Sequence, residues 1–170
     1  MTRLVINILW FQLGWLISVI YGTPAAALVV LITILLYRYV LPVTVAEWLL
    51  ISAVIGVGVI TDTLLGLSNV LQFPNSHPLP PFWMMTLWLV FATTLNQSMS
   101  MIVRRKYLFI AFCAVGAPIS YFAGVHLSEV KFGLPTTLSM ISIAFAWTLV
   151  GITLHHLHRN CNLKWLSEKN

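Results

Sequence analysis

One carboxylate, Asp62, lies deep inside a hydrocarbon run, Ile55 to Leu67 (IGVGVITDTLLGL). On insertion scales an Asp at the centre of a membrane helix costs on the order of 2.5–3.5 kcal/mol, so its side chain is expected to face neighbouring helices rather than lipid. No Lys or Arg stands at comparable depth in the sequence. Desolvation then favours the neutral carboxylic acid, and Asp62 is expected to be protonated or water-linked. In that setting it can relay a proton, bind an ion, act as an acid or base, or serve as a hydrogen-bonded clasp between helices. Depth along the chain offers three companions: Gln12, Asn96 and Tyr121. The four are expected to line one cavity as a ligand-binding or proton-linked site, although the last three also suit interhelical hydrogen bonds.

Other chemistry is poorly supported. His126, Glu129 and His77 gather near one set of connections, but their spacing matches no metal signature. In the run His155-His156-Leu157-His158, the first and last histidines share a helix face, yet Arg159 and Lys164 nearby mark a basic headgroup-facing segment. Ser98 and Ser100 have no histidine close in sequence, and G-x-S-x-G, H-E-x-x-H and Walker patterns are absent. No catalytic residue, cofactor or metal is therefore expected, and the reading leans away from an enzyme. Gly56, Gly58 and Gly66 around Asp62, and Gly116, Pro118 and Gly124 in a later run, read first as helix-packing residues. Pro118 also removes a helix hydrogen bond near the depth of Asp62.

These residues must be positioned by membrane helices. Hydrophobic residues make up 59% of the 170-residue chain and charged residues only 8%, against roughly a quarter charged in soluble domains. A water-soluble fold is excluded. Six apolar runs fill a single polytopic domain over residues 1–170: Leu4 to Tyr21, Pro24 to Tyr39, Ala46 to Leu71, Pro81 to Val103, Tyr107 to Leu127 and Thr136 to Leu157. Continuous runs of this length predict an all-α integral membrane bundle of six transmembrane helices. Gly22-Thr23-Pro24 predicts a tight hairpin, Pro42 parts spans two and three, and the proline-rich stretch from Pro74 to Pro81 predicts a loop. The N-terminal run is longer than the apolar core of a signal peptide and reads as an uncleaved first helix.

Eight of the nine Lys and Arg fall on one set of connections: Arg3, Arg38, Arg104, Arg105, Lys106, Arg159, Lys164 and Lys169, against Lys131 alone. The positive-inside rule then predicts both termini in the cytoplasm. The net charge of +5 reports topology and lipid headgroups rather than nucleic acid, which needs a basic stripe interleaved with exposed aromatics. Trp10, Trp15, Trp48, Trp83, Trp88, Tyr21, Tyr37 and Tyr39 read as interfacial anchors. Cys113 and Cys161 differ too much in depth to form a bridge. Ile55 to Leu67 and Phe112 to Val125 share small-residue spacing, which suits helix packing as well as duplication.

Four stretches carry a resemblance: Phe11-Gln12-Leu13-Gly14-Trp15; Thr61-Asp62-Thr63-Leu64-Leu65-Gly66; Pro81-Phe82-Trp83 through Trp88 to Leu95-Asn96-Gln97-Ser98; and Gly116 to Gly124. Together they resemble a proteobacterial membrane family catalogued as domain of unknown function 2878. Thr61 and Met101 depart from the family pattern, which has glycine before the aspartate and tryptophan shortly after the serine. The resemblance implies a small bacterial inner-membrane protein from a family associated with genes for membrane fatty-acid modification, and it carries over no catalytic residue. Three functions follow as expectations. The first is a non-enzymatic lipid-binding or accessory protein for membrane lipid modification, with membrane lipids or a small hydrophobic ligand as partners. The others are a small transporter or proton-linked carrier, and an intramembrane lipid-modifying enzyme. A lipid-sized side opening beside Asp62 favours binding, a continuous water path favours transport, and convergence with His or Ser favours catalysis.

Overall fold

The computed structural model describes residues 2–41, 44–74 and 78–167, with side chains through Cys161. Pro42, His77 and Lys169 lie outside the described residues, as does the side chain of Lys164. The chain is almost entirely helical: α1 (Thr2–Tyr39), α2 (Val45–Leu67), α3 (Phe82–Ala92), α4 (Ser100–Val103), α5 (Lys106–Leu127) and α6 (Thr136–Ser167), with two short strands, β1 (Leu71–Gln72) and β2 (Lys131–Phe132).

Helix α1 is two rods joined by a reversal. Gly22 adopts φ 67°, ψ −153°, a conformation costly for any residue with a Cβ, and Pro24 follows at the first turn of the second rod, where its missing N–H costs nothing. The rods run antiparallel, because Asn7 Nδ2 donates to Tyr37 Oη, Trp10 Nε1 donates to Thr33 Oγ1 at 2.9 Å, and Gly14 lies against Val29. The hairpin expected at Gly22-Thr23-Pro24 is present.

Among the described residues four helices, Thr2–Tyr39, Val45–Leu67, Lys106–Leu127 and Thr136–Cys161, are long and apolar enough to cross a membrane. Large apolar side chains such as Leu9, Leu28, Ile60, Val115 and Phe145 cover their outer faces. In water that surface would be prohibitive, whereas in hydrocarbon it costs little, so this is a membrane protein.

The expectation of a continuous helix from Pro81 to Val103 is corrected. Helix stops at Ala92, and turns carry the chain from Thr93 to the short α4. Two local causes and one distant one explain the break. Thr93 and Thr94 turn their hydroxyls back onto the carbonyls of Val90 and Phe91 at 2.7 Å, which competes with regular helix, and the following bonds tighten to a three-residue span at Thr94, Leu95 and Gln97. From α1, Asn7 donates to the Thr93 carbonyl (3.4 Å) and accepts from the Ser98 amide (3.2 Å). The freed backbone is thus satisfied by protein, the condition for irregular chain at membrane depth.

Helix α2 likewise ends earlier than the expected Leu71. Asn69 takes φ 56°, and the chain turns into β1, which pairs antiparallel with β2 through Leu71–Phe132 and Gln72–Lys131. This ladder ties the end of α2 to the connection between α5 and α6. The core forms two clusters. One gathers Leu50, Val54, Phe109, Val150 and Leu154 at the end where Arg38, Arg104 and Arg159 lie; the other gathers Val19, Leu65, Phe73, Met84 and Ile143 toward the ladder. Trp147 packs against both.

Candidate functional site

Asp62 sits between the two clusters. It is fully buried, and its two oxygens are divided between two donors: Trp88 Nε1 donates to Oδ2 at 2.7 Å, and Tyr121 Oη donates to Oδ1. Helices α2, α3 and α5 are thereby joined at one carboxyl group. Gly58, one turn before Asp62 on the same face, makes the Trp88 bond possible. A Cβ at position 58 would stand 1.9 Å from Trp88 Cδ2, so only glycine lets the indole lie on α2 with its N–H toward Asp62.

The indole of Trp88 stacks on Trp147 of α6 at 4.7 Å between centroids and 13° between planes. Phe91 meets both rings edge-on, and Tyr121 meets Trp147 edge-on. Phe11, from the first rod of α1, extends the cluster to Phe91. Offset or edge-on pairs of this kind contribute about 0.5–1.5 kcal/mol each beyond their burial. Trp147 Nε1 is buried without a hydrogen bond of ordinary length and angle among the described residues, although the Tyr121 phenol lies close.

Asp62 forms part of the wall of a cavity of about 90 Å³, with Trp15, Trp83, Leu87 and Trp147 among its apolar lining. A second cleft of about 340 Å³ shares Phe11, Trp15, Phe91, Ser120, Tyr121 and Trp147 with it and reaches exposed Gln12, Phe112 and Ile119 between α1 and α5. The cavity beside Asp62 therefore continues sideways to the apolar outer surface. Small residues on α5 leave this space open. A Cβ at Gly116 would come no closer than 3.9 Å to any neighbour and one at Gly124 would meet nothing within 4 Å, so these two glycines line open space and do not bring helices together as expected. Pro118 is buried within a continuous α5.

The four sequence-predicted residues divide. Tyr121 meets Asp62 directly. Gln12 is exposed on the rim of the adjoining cleft, which it shares with Tyr121. Asn96 does not join them, and the expectation of a common cavity is corrected for it: its Nδ2 donates to Glu47 Oε1 at 3.4 Å, and Glu47 precedes Asp62 on α2 by roughly 22 Å of helix. The end of α3 at Ala92 carries Asn96 into the charged end of the bundle.

The residue missed in the sequence is Trp88, with Trp83, Trp15 and Trp147 behind it. Among the aromatic residues read as interfacial anchors, that reading is overturned for Trp88, 3% exposed, and for Tyr37, 1% exposed and hydrogen-bonded by Asn7. The available signal was position: Trp88 stands seven residues inside Pro81, too deep for a headgroup. His126 Nδ1 lies 2.7 Å from the Phe122 carbonyl and His155 Nδ1 lies 2.8 Å from the Val103 carbonyl, so both imidazoles serve local structure. Among the described residues no cluster of three potential metal ligands forms, and both cysteines are free.

No curated protein and no solved structure matches the chain. The family described as "Protein of unknown function (DUF2878)" matches residues 4–152. The stretches around Phe11, Asp62, Trp88 and Tyr121, which build the aromatic cavity, all fall within that match, and the chain belongs to this family.

Proposed function

We propose that this protein binds an apolar, membrane-borne ligand in the aromatic cleft beside Asp62, as a non-enzymatic accessory to membrane lipid modification. It does so as a six-pass protein of the bacterial inner membrane with both termini in the cytoplasm. One observation carries the reading: a buried carboxyl group and the indole N–H of Trp147 stand at the inner end of an apolar space that opens sideways between α1 and α5. An entrance in that direction faces acyl chains. The side opening is the feature that separates binding from transport or catalysis. The partners of Asp62 are an indole and a phenol, with neither His nor Ser hydrogen-bonded to it among the described residues. For topology, the support is the gathering of Arg3, Arg38, Arg104, Arg105, Lys106 and Arg159 toward one end of the bundle.

Phospholipid bearing a photoreactive group on one acyl chain, incorporated in nanodiscs with the full-length protein, tests the ligand reading. Labelling at Phe11, Trp15, Leu87 and Ser120 should be saturable by unlabelled lipid, while labelling at the exposed Ile141 and Phe145 should not. Label confined to the outer surface, with none in the cleft, refutes it.

A further inference from the structure

At the charged end of the bundle, well away from the aromatic cleft, a second pocket of about 220 Å³ is lined by Thr44, Glu47, Asn96, Ser100, Arg104 and His158. Three elements supply it. Glu47 is in the first turn of α2, where its Oε2 accepts from the Thr44 amide at 2.7 Å in a capping box, and its Oε1 accepts from Asn96 at 3.4 Å. Arg104 caps α4, and buried His158 comes from α6.

The charge pattern restricts what can occupy such a pocket. A simple anion suits Arg104 but meets the Glu47 carboxylate, and a simple cation suits Glu47 but meets Arg104. Among the described residues no salt bridge joins Glu47 to Arg104, so the two opposite charges line one space without neutralising each other directly. A ligand carrying phosphate and a primary ammonium on adjacent carbons satisfies both. Arg104-Arg105-Lys106 and the start of α2 set this pocket at the level of lipid headgroups.

We propose that this pocket binds a phosphoethanolamine group, with the phosphate against Arg104 and the ammonium against Glu47. The ammonium donates hydrogen bonds to the carboxylate, whereas the trimethylammonium of a choline headgroup has no N–H to donate. A charge-assisted bond of that kind corresponds to a preference of about tenfold.

The test uses full-length protein in mild detergent, exposed to equal amounts of palmitoyl-oleoyl phosphatidylethanolamine, phosphatidylcholine and phosphatidylglycerol, with bound lipid counted by native mass spectrometry. The wild type should retain phosphatidylethanolamine about tenfold over phosphatidylcholine. Glu47→Gln should bring that ratio near one while preserving the fold, because Gln also completes a capping box, and unchanged circular dichroism checks this. Arg104→Gln should reduce both adducts together. A parallel thermal-shift arm with soluble phosphoethanolamine identifies the source. Protection by the soluble compound, lost in both variants and unaccompanied by lipid preference, assigns the same chemistry to a free phosphate ester. Equal retention of the ethanolamine and choline lipids with no protection by soluble phosphoethanolamine, an ethanolamine preference that survives Glu47→Gln, stronger retention of phosphatidylglycerol, or equal protection by inorganic phosphate overturns the proposal.

Discussion

Replacing Gly58 with alanine places one methyl group where the Trp88 indole lies, and the consequence can be worked through. The new Cβ would stand 1.9 Å from Trp88 Cδ2 and 2.3 Å from Cε2 and Cγ, against about 3.5–4 Å for carbon atoms in contact. The ring must retreat by roughly 1.5 Å or more, and a retreat of that size breaks its 2.7 Å bond to Asp62 and disturbs the stack on Trp147. Overpacking costs about 1–3 kcal/mol, and a buried carboxyl group deprived of a donor costs about 1–3 kcal/mol more. Alanine in place of glycine returns only about 1 kcal/mol of helix propensity. The net loss is about 1–5 kcal/mol. Gly56, one half-turn away, is the matched control, since a Cβ there meets nothing within 4 Å, and Gly56→Ala should be neutral or stabilise by up to about 1 kcal/mol. Denaturant unfolding in micelles, followed by tryptophan fluorescence, reads both variants. A Gly58→Ala midpoint equal to or above that of Gly56→Ala would sink the reasoning.

Further outcomes follow from the same contacts. Tyr121→Phe removes one of the two donors to Asp62 and should cost about 1–3 kcal/mol in the same assay, with Trp88→Phe in the same range or above because its stack is lost as well; no change in either would show that the carboxyl group does not depend on them. Asn7→Leu strips Tyr37, the Thr93 carbonyl and the Ser98 amide of a shared partner, so a loss of at least about 2 kcal/mol is expected, and hydrogen exchange should rise at positions 98 and 99. For topology, single cysteines at positions 105 and 131, in a background lacking Cys113 and Cys161, should be labelled in intact cells by an impermeant reagent at 131 only. Labelling at 105 and not at 131 reverses the orientation.

The hydrocarbon runs made the membrane class and most helix positions legible, because a spanning segment must be apolar and must satisfy its own backbone. The pairing of Asp62 with Tyr121 was equally legible from depth, since lipid forces a central carboxyl group inward. Asn96 was misassigned because depth arithmetic assumed an unbroken fourth helix, and the break depends on Asn7, more than eighty residues earlier. Trp88 was hidden by its type: tryptophan is common at membrane interfaces, and only the missing side chain at Gly58 reveals that this one lies against α2. The glycines of α5 are the mirror case. Their spacing imitates a packing motif, but whether a small residue fills a contact or leaves a void is decided by the neighbouring helix, which local sequence does not contain.

The broken fourth segment also constrains how the protein can be assembled. Helix α3 has 11 residues, a rise of roughly 16 Å, about half the roughly 30 Å hydrocarbon thickness. The turns after Ala92 cannot rest in bare lipid with their amides exposed, and the Asn7 side chain that receives them belongs to the first helix of the chain. During synthesis α1 leaves the ribosome long before Thr93 does, so its amide side chain is already in the bilayer when the irregular segment arrives. The order of elements in the gene is then also the order in which their hydrogen-bond partners become available, and a permuted chain delivering α3 before α1 would leave that segment waiting at the membrane without its partner.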